Sequence, residues 1–310
     1  MNVFQQAAAA PIKTGEGLIT DPVGTASGIV TGIGRFFGGI KAAVTGGSSY
    51  QPSALKSLLG QASYKREYAY EFNVDPYSSY EPLQKGLNDL SWTATAGGLT
   101  VKAAMMAILG AVGTVVGMAG TAQSLKALVR DKTPAELTKV NTDLLSQMKV
   151  PDDVAQAFLT NPFFDPWEQT LLVGELWNMA NVKDRKIYTE TAAPANEEPL
   201  AVFLRVRVQL MGHYYQKVGS VDRFADAGGV PLLVTTGGKA AVILPLDYVA
   251  WSLAFAQKEQ AVSSAIQNMR GITGKELLVT GTVNPVARRA LESLGWKVED
   301  NFGQELLKIQ

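Results

Sequence analysis

Cysteine is absent from this sequence and histidine occurs once, at position 213. No thiolate nucleophile and no disulfide can form. Zinc sites of four cysteines, two cysteines with two histidines, or three histidines are excluded within one subunit, as is an iron site needing two histidines and a carboxylate. A Ser-His-Asp relay would have to use His213. The sequence also lacks the nucleophile elbow G-x-S-x-G, the metalloprotease run H-E-x-x-H, and the phosphate-binding runs G-x-G-x-x-G and G-x-x-x-x-G-K-[ST]. No metal and no cofactor is therefore expected.

Charge is scarce too. Only 18% of residues are charged, below the usual quarter, while 46% are apolar. Twenty-eight basic residues balance 28 acidic ones, so no global field draws the chain to nucleic acid. This composition suits a protein with a large buried core or one with membrane-facing surface. Absence of cysteine suits an oxidising compartment and is compatible with the cytosol. The start, MNVFQQAAAAPIKTGEG, has neither the basic residues nor the apolar stretch of a signal peptide; it either opens the chain or follows a removed leader.

Long strongly apolar runs are missing as well. Ala103 to Leu125 carries no charge over 23 residues, long enough for a bilayer. Its strongly inserting residues are only Ile108, Leu109, Val112, Val115, Val116 and Leu125. Gly110, Gly113, Gly117 and Gly120 supply small-residue spacing for close helix approach. The run reads as a buried helix, with a weak membrane hairpin as the other reading. Upstream, Ile29, Ile33, Phe36, Phe37, Ile40 and Val44 form one apolar stripe at helical spacing. Glycines at 28, 32, 34, 38 and 39 each cost such a helix about 1 kcal/mol. It needs a surface to hold it, whether the protein's own core, a partner or a lipid headgroup region. Ile29, Ile33, Phe36, Phe37 and Ile40 are thus candidate membrane or partner contacts.

What the sequence has in excess is tyrosine, over one short stretch. Six of the ten tyrosines lie between positions 50 and 80, among Lys65, Arg66, Glu67, Glu71, Asp75 and Glu81. Tyr joins an apolar ring to a polar tip, which suits interfaces and polar ligand sites. Tyr64, Arg66, Tyr68, Tyr70, Asp75, Tyr77 and Tyr80 are the candidate binding residues for a protein or polar ligand. Asn73 and Asp75-Pro76 break the chain between two helices; the alternative role of the rings is to cap the gap between them.

Farther on, Thr133-Pro134-Ala135-Glu136 is a capping box with Pro at the first helical position, opening a helix to about Met148. Asp165-Pro166-Trp167-Glu168 repeats the device. A third helix spans Glu197 to Lys217 and carries His213, read as a packed side chain rather than a catalyst. Asp152-Asp153 and Glu197-Glu198 stand in first turns, where carboxylates favour the positive helix end. After Asp222 the pattern turns β-rich. Val230 to Val234 and Lys239 to Leu244 flank a Thr235-Thr236-Gly237-Gly238 hairpin. Pro245 and Asp247 then open a helix to Met269. Glu276 to Thr280 is a strand, Asn284-Pro285 caps a helix to Leu294, Trp296 to Glu299 is a strand, and another strand is placed near Leu306. The turn from Thr280 to Asn284 offers backbone N–H groups to an anion.

The phrase KREYAYEFNVDPYSSYEPLQKGLNDLSW, the Gly-Ala run after it, and GTVNPVARRALESLGWKV resemble segments of a family of uncharacterised exported bacterial proteins. The resemblance spans most of the chain and implies an extracytoplasmic location and a longer precursor. It carries no activity and no functional residue.

The expected class is α+β, a helix-rich N-terminal part followed by a small α/β module of order β-β-α-β-α-β. The expected parts are a Gly-rich segment with an amphipathic helix (1–60), a helical domain (61–220) and the module (221–310). The favoured role is non-enzymatic binding or scaffolding outside the cytoplasm, with peripheral membrane contact and no nucleic acid. The alternative is an enzyme using Asp/Glu, Tyr and Arg side chains in a cleft between the helical and α/β parts.

Overall fold

The computed structural model describes residues 54–97, 121–218 and 220–307. The apolar stripe from Ile29 to Val44 and the uncharged run as far as Gly120 lie outside these residues. The chain divides into two compact units, Met1–Val116 and Gly117–Gln310. The class is α+β, with helices preceding a mixed five-stranded sheet.

In the first unit, α1 (Ala54–Phe72) and α2 (Glu81–Gly97) form a hairpin. Asn73 ends α1 in the left-handed region at φ 57°, a conformation Asn tolerates better than most residues. The Val74 N–H then bonds back to the Ala69 carbonyl at 2.9 Å. Gln61 Nε2 donates to Asn88 Oδ1 at 3.3 Å and Lys65 Nζ donates to Gln84 Oε1, so the helices run antiparallel. Tyr68, Ala69, Leu87, Leu90 and Ala94 are fully buried.

The second unit begins with six helices: α3 (Thr121–Asp131), α4 (Pro134–Gln147), α5 (Asp152–Leu159), α6 (Pro166–Asn178), α7 (Lys186–Ala192) and α8 (Glu198–Val218). Thr133 caps α4 through the complete capping box. Asp165 caps α6 by accepting the Glu168 N–H; here the box is one-sided, because the Glu168 carboxylate turns inward to Arg205. Every residue of α6 from Trp167 to Leu176 is buried. A helix enclosed on all sides is the axis of its layer, and α3, α4 and α8 pack around it.

The sheet strands are β1 (Val221–Asp226), β2 (Pro231–Thr235), β3 (Lys239–Leu244), β5 (Gly274–Val279) and β7 (Trp296–Glu299), in spatial order β1-β2-β3-β5-β7. The pairs β1–β2 and β2–β3 are antiparallel; β3–β5 and β5–β7 are parallel. A separate parallel pair joins β4 (Tyr248–Val249) to β6 (Thr282–Val283). Between the strands lie α9 (Leu253–Gln267) and α10 (Pro285–Ser293), and α11 (Gln304–Leu307) follows β7. Side chains alternate across the sheet, as strand geometry requires. Leu233, Ala241, Ile243 and Leu278 join the core of α4–α8. Leu232, Val234, Ala240, Val242, Leu277 and Val279 join a second core with Val262 and Ile266 of α9 and Ala287 and Leu291 of α10.

Four details differ from the sequence reading. β1 precedes the expected hairpin, and β4 and β6 interrupt the expected β-β-α-β-α-β order. The helix expected from Pro245 starts at Leu253, capped by Ser252, because Tyr248 and Val249 pair with β6 instead. The segment near Leu306 is helical rather than a strand.

Candidate functional site

The tyrosine-rich stretch folds into the closed end of the α1–α2 hairpin. Tyr68 is buried with its ring 6.0 Å from Phe72. Burial pushes its hydroxyl up to about 12, with the Glu67 charge adding to the effect. Tyr68 is therefore core rather than contact surface, the gap-capping role that stood beside the binding one. Tyr64, Arg66, Tyr70, Asp75 and Tyr77 are half-buried and Tyr80 is exposed. Asp75 is engaged locally, its Oδ1 accepting the Tyr77 N–H at 2.7 Å. Lys65 lies below its ordinary range through burial, opposed by Asp75. Along α2, Glu81, Lys85, Asn88 and Trp92 recur at helical spacing, and Trp92 is 46% exposed. The hairpin thus offers Tyr80 and Trp92 to solvent, framed by half-buried rings and mixed charge.

A second concentration of polar groups lies inside the helical layer of the other unit. Glu168 and Glu175 on α6 are seven residues apart and so share one face. That face meets Arg205 and Gly212 of α8, again seven apart. Arg205 Nε bonds Glu168 Oε2 at 2.9 Å and its Nη1 bonds Gln209 Oε1 at 2.8 Å. Burial raises the Glu168 carboxyl while Arg205 opposes that rise. Glu175 differs. A Cβ built on Gly212 would come 2.6 Å from its Oε2, so the carboxyl rests on the bare backbone of α8. Burial alone pushes it up to about 7. From α3, Lys126 lies over the Trp167 ring, 5.8 Å from its centroid, and is lowered by burial and by Arg205. From α4, Asn141 Nδ2 reaches Thr170 Oγ1 at 3.2 Å. Sequence reading missed Glu175; its signal was a carboxylate in the middle of the apolar run Leu171-Leu172-Val173-Gly174-Glu175-Leu176.

Where the helices meet the sheet, chemistry-bearing side chains are consumed by packing. Tyr214 of α8 donates to Glu276 of β5; burial, and then this carboxylate, raises the tyrosine. Arg207 Nε donates to the Ile243 carbonyl at 2.8 Å and its Nη2 donates to the Pro231 carbonyl. His213 packs its half-buried ring 5.5 Å from Phe302. On the far side of the sheet, Glu259 accepts from Ser263 and from Trp296 Nε1, and Lys275 lies 3.7 Å from the same carboxylate.

The strand-to-helix turn after β5 is not an anion cradle. The N–H groups of Gly281 and Thr282 bond to the Leu246 and Asp247 carbonyls, that of Val283 to Asp300, and that of Asn284 to the Val249 carbonyl. The Asn284 side chain takes the Val286 N–H. Every donor is already engaged by the protein.

Among the described residues no group of three His, Asp or Glu side chains is arranged for a metal ion. No described helix is long and apolar enough to cross a membrane. Comparison of the chain with protein-family models, curated proteins and solved structures finds no match.

Proposed function

We propose that the protein is a non-enzymatic binding or scaffolding protein that works outside the cytoplasm, with the α1–α2 hairpin as its contacting element. The observation behind this reading is the outward display of Tyr80 and Trp92, 38% and 46% exposed, beside half-buried Tyr64, Arg66, Tyr70 and Tyr77. Large amphipathic rings amid mixed charge favour a protein partner, because they bury area with little loss of side-chain freedom. The carboxylate, tyrosine and arginine groups that the enzymatic alternative requires pair with one another or with backbone in the interior (Glu168–Arg205, Tyr214–Glu276, Arg207 with two carbonyls). That arrangement favours the binding role. The extracytoplasmic placement rests on the absence of cysteine and on the resemblance to exported proteins. Peripheral membrane contact through Ile29, Ile33, Phe36, Phe37 and Ile40 belongs to the same proposal.

Site-specific photo-crosslinking in the native host tests it. A photoreactive residue replacing Tyr80 or Trp92 should give a discrete protein adduct, and one replacing exposed Ser264 of α9 should give none. The absence of any adduct at 80 and at 92, or the same adducts at 264, overturns the assignment of the hairpin.

A further inference from the structure

Between α5 and α7 the helical layer opens into a surface cleft of about 340 Å³, lined by Asp153, Val154 and Ala157 of α5 and by Glu190, Ala193 and Pro194 from the end of α7. Its shape follows from side-chain size. α5 turns Ala155 and Phe158 into the core, and Val154 and Ala157, each one residue earlier, form the wall toward α7. Alanine at 157 and at 193 leaves the gap between the walls unfilled. Its width is fixed, because Asn161 Nδ2 donates to the Ala193 and Ala195 carbonyls at 2.9 and 2.7 Å and so ties the chain beyond α5 to the chain beyond α7. The walls are apolar and the surroundings acidic. α5 and residues 190–198 carry Asp152, Asp153, Glu190, Glu197 and Glu198 and no lysine or arginine. Lys186 lies 3.6 Å from Glu190, with both side chains open to solvent. Such an i, i+4 pair is worth little in water and yields to a better-placed cation.

We propose that this cleft receives an arginine side chain of a partner protein, its aliphatic stem against Val154, Ala157 and Ala193 and its guanidinium beside Asp153 and Glu190. The volume is at the lower end for ligand pockets, which suits one long side chain rather than a cofactor. The guanidinium is weakly hydrated and carries N–H donors on several edges, so it can serve carboxylates on both walls, where a lysine ammonium is a compact and strongly hydrated point charge. Asp153, Ala157, Glu190 and Pro194 are exposed, so a side chain still attached to its own backbone can enter. This contact belongs to the unit from Gly117 to Gln310 and is independent of the contact proposed for the α1–α2 hairpin.

Methyl NMR of the full chain, titrated with acetyl-Ala-Arg-Ala-methylamide and with its citrulline counterpart, tests the proposal. Citrulline keeps the stem and the planar head and removes the charge. The arginine peptide should shift the methyls of Val154, Ala157 and Ala193 with a dissociation constant of about 1–10 mM, the strength expected of one side chain in an open cleft. The citrulline peptide should bind at least about tenfold more weakly, and Asp153→Asn combined with Glu190→Gln should weaken the arginine peptide at least about tenfold with the rest of the spectrum in place. Ala157→Leu fills the gap from an exposed position and should abolish the shifts at Val154 and Ala193. Absence of saturable shifts at these methyls, equal binding of the two peptides, or unchanged binding in the double variant overturns the site. Propylguanidine, the same head and stem without peptide groups, separates the two sources of a guanidinium. Binding comparable to that of the arginine peptide supports a side chain carried on a protein backbone, whereas binding of propylguanidine alone makes the occupant a free small cation and overturns the assignment to a partner protein.

Discussion

A carboxyl held against a glycine backbone, with no cation beside it among the described residues, is the most demanding side chain of the helical layer. Glu175 has an ordinary value of 4.5 and stands near 7 in the fold, so the folded state binds its proton more tightly than the unfolded state does. Stability from this group is complete below pH 4.5 and is lost as pH rises through about 7, a difference of about 3 kcal/mol by linkage. Glu175→Gln keeps the shape of the protonated form. It should match the wild type in denaturant melts near pH 4.5 and exceed it by up to about 3 kcal/mol at pH 8; a variant no more stable at pH 8 refutes this account. Arg207 poses the opposite case, a buried cation bonded to carbonyls. Extending the β2–β3 register from Leu233↔Ala241 sets Pro231 opposite Ile243. Proline has no N–H to give, and the guanidinium donates to both carbonyls in its place. Arg207→Met leaves both acceptors buried without a donor and should lower stability by about 2–4 kcal/mol. Arg207→Lys, lacking the planar fork, should recover only part of that. Full stability in Arg207→Met would show that the carbonyls find other donors.

Elements with a chemical start signal were legible in the sequence. Thr133, Asp165 and Asn284 cap the helices expected of them, and the β2–β3 hairpin forms around Gly238, whose φ of 78° suits glycine. Elements defined only by pairing were not. β1, with Asp222, Arg223 and Asp226 in six residues, has little strand character of its own and forms by registering with β2 from Val221↔Thr235 to Asp226↔Pro231. The β4–β6 pair is two residues long on each side and depends on a close approach that no local pattern announces: a Cβ on Gly281 would run into the Asp247 carbonyl. The same crossing explains the late start of α9, since residues 246–249 are bonded to the segment from Gly281 to Asn284 and the helix begins only where Ser252 caps it. Gly281→Ala should therefore push Asp247 away and separate β4 from β6, lowering stability by about 1–3 kcal/mol, whereas Gly274→Ala, with open space at its Cβ, should stay within about 1 kcal/mol. Equal effects of the two substitutions in thermal melts would remove the close-approach explanation. The seam of α6 and α8 was half legible. Glu168 was visible as a capping residue, but its pairing with Arg205 and the isolation of Glu175 depend on which faces of two distant helices meet.

At the scale of the whole molecule, low charge content left two readings, a large core or a membrane-facing surface. In the unit from Gly117 to Gln310 the core reading has direct support, because the sheet is covered on both faces and α6 is enclosed by other helices. The membrane reading is then confined to the stripe from Ile29 to Val44 and the uncharged run from Ala103, both largely outside the described residues. The stripe is apolar enough to seek a surface but carries only Arg35 and Lys41 to attract anionic lipid, at about 1 kcal/mol each. The run is rich in Gly and Ala, which contribute little to insertion. The expected behaviour is weak vesicle binding that depends on residues 1–47. Co-sedimentation of the full chain and of a chain beginning at Ser48, with neutral and with anionic vesicles, separates the two segments. Binding confined to the full chain and stronger on anionic vesicles supports the stripe. Equal, strong binding by both chains would transfer the contact to the Gly-Ala run and overturn its reading as a buried helix.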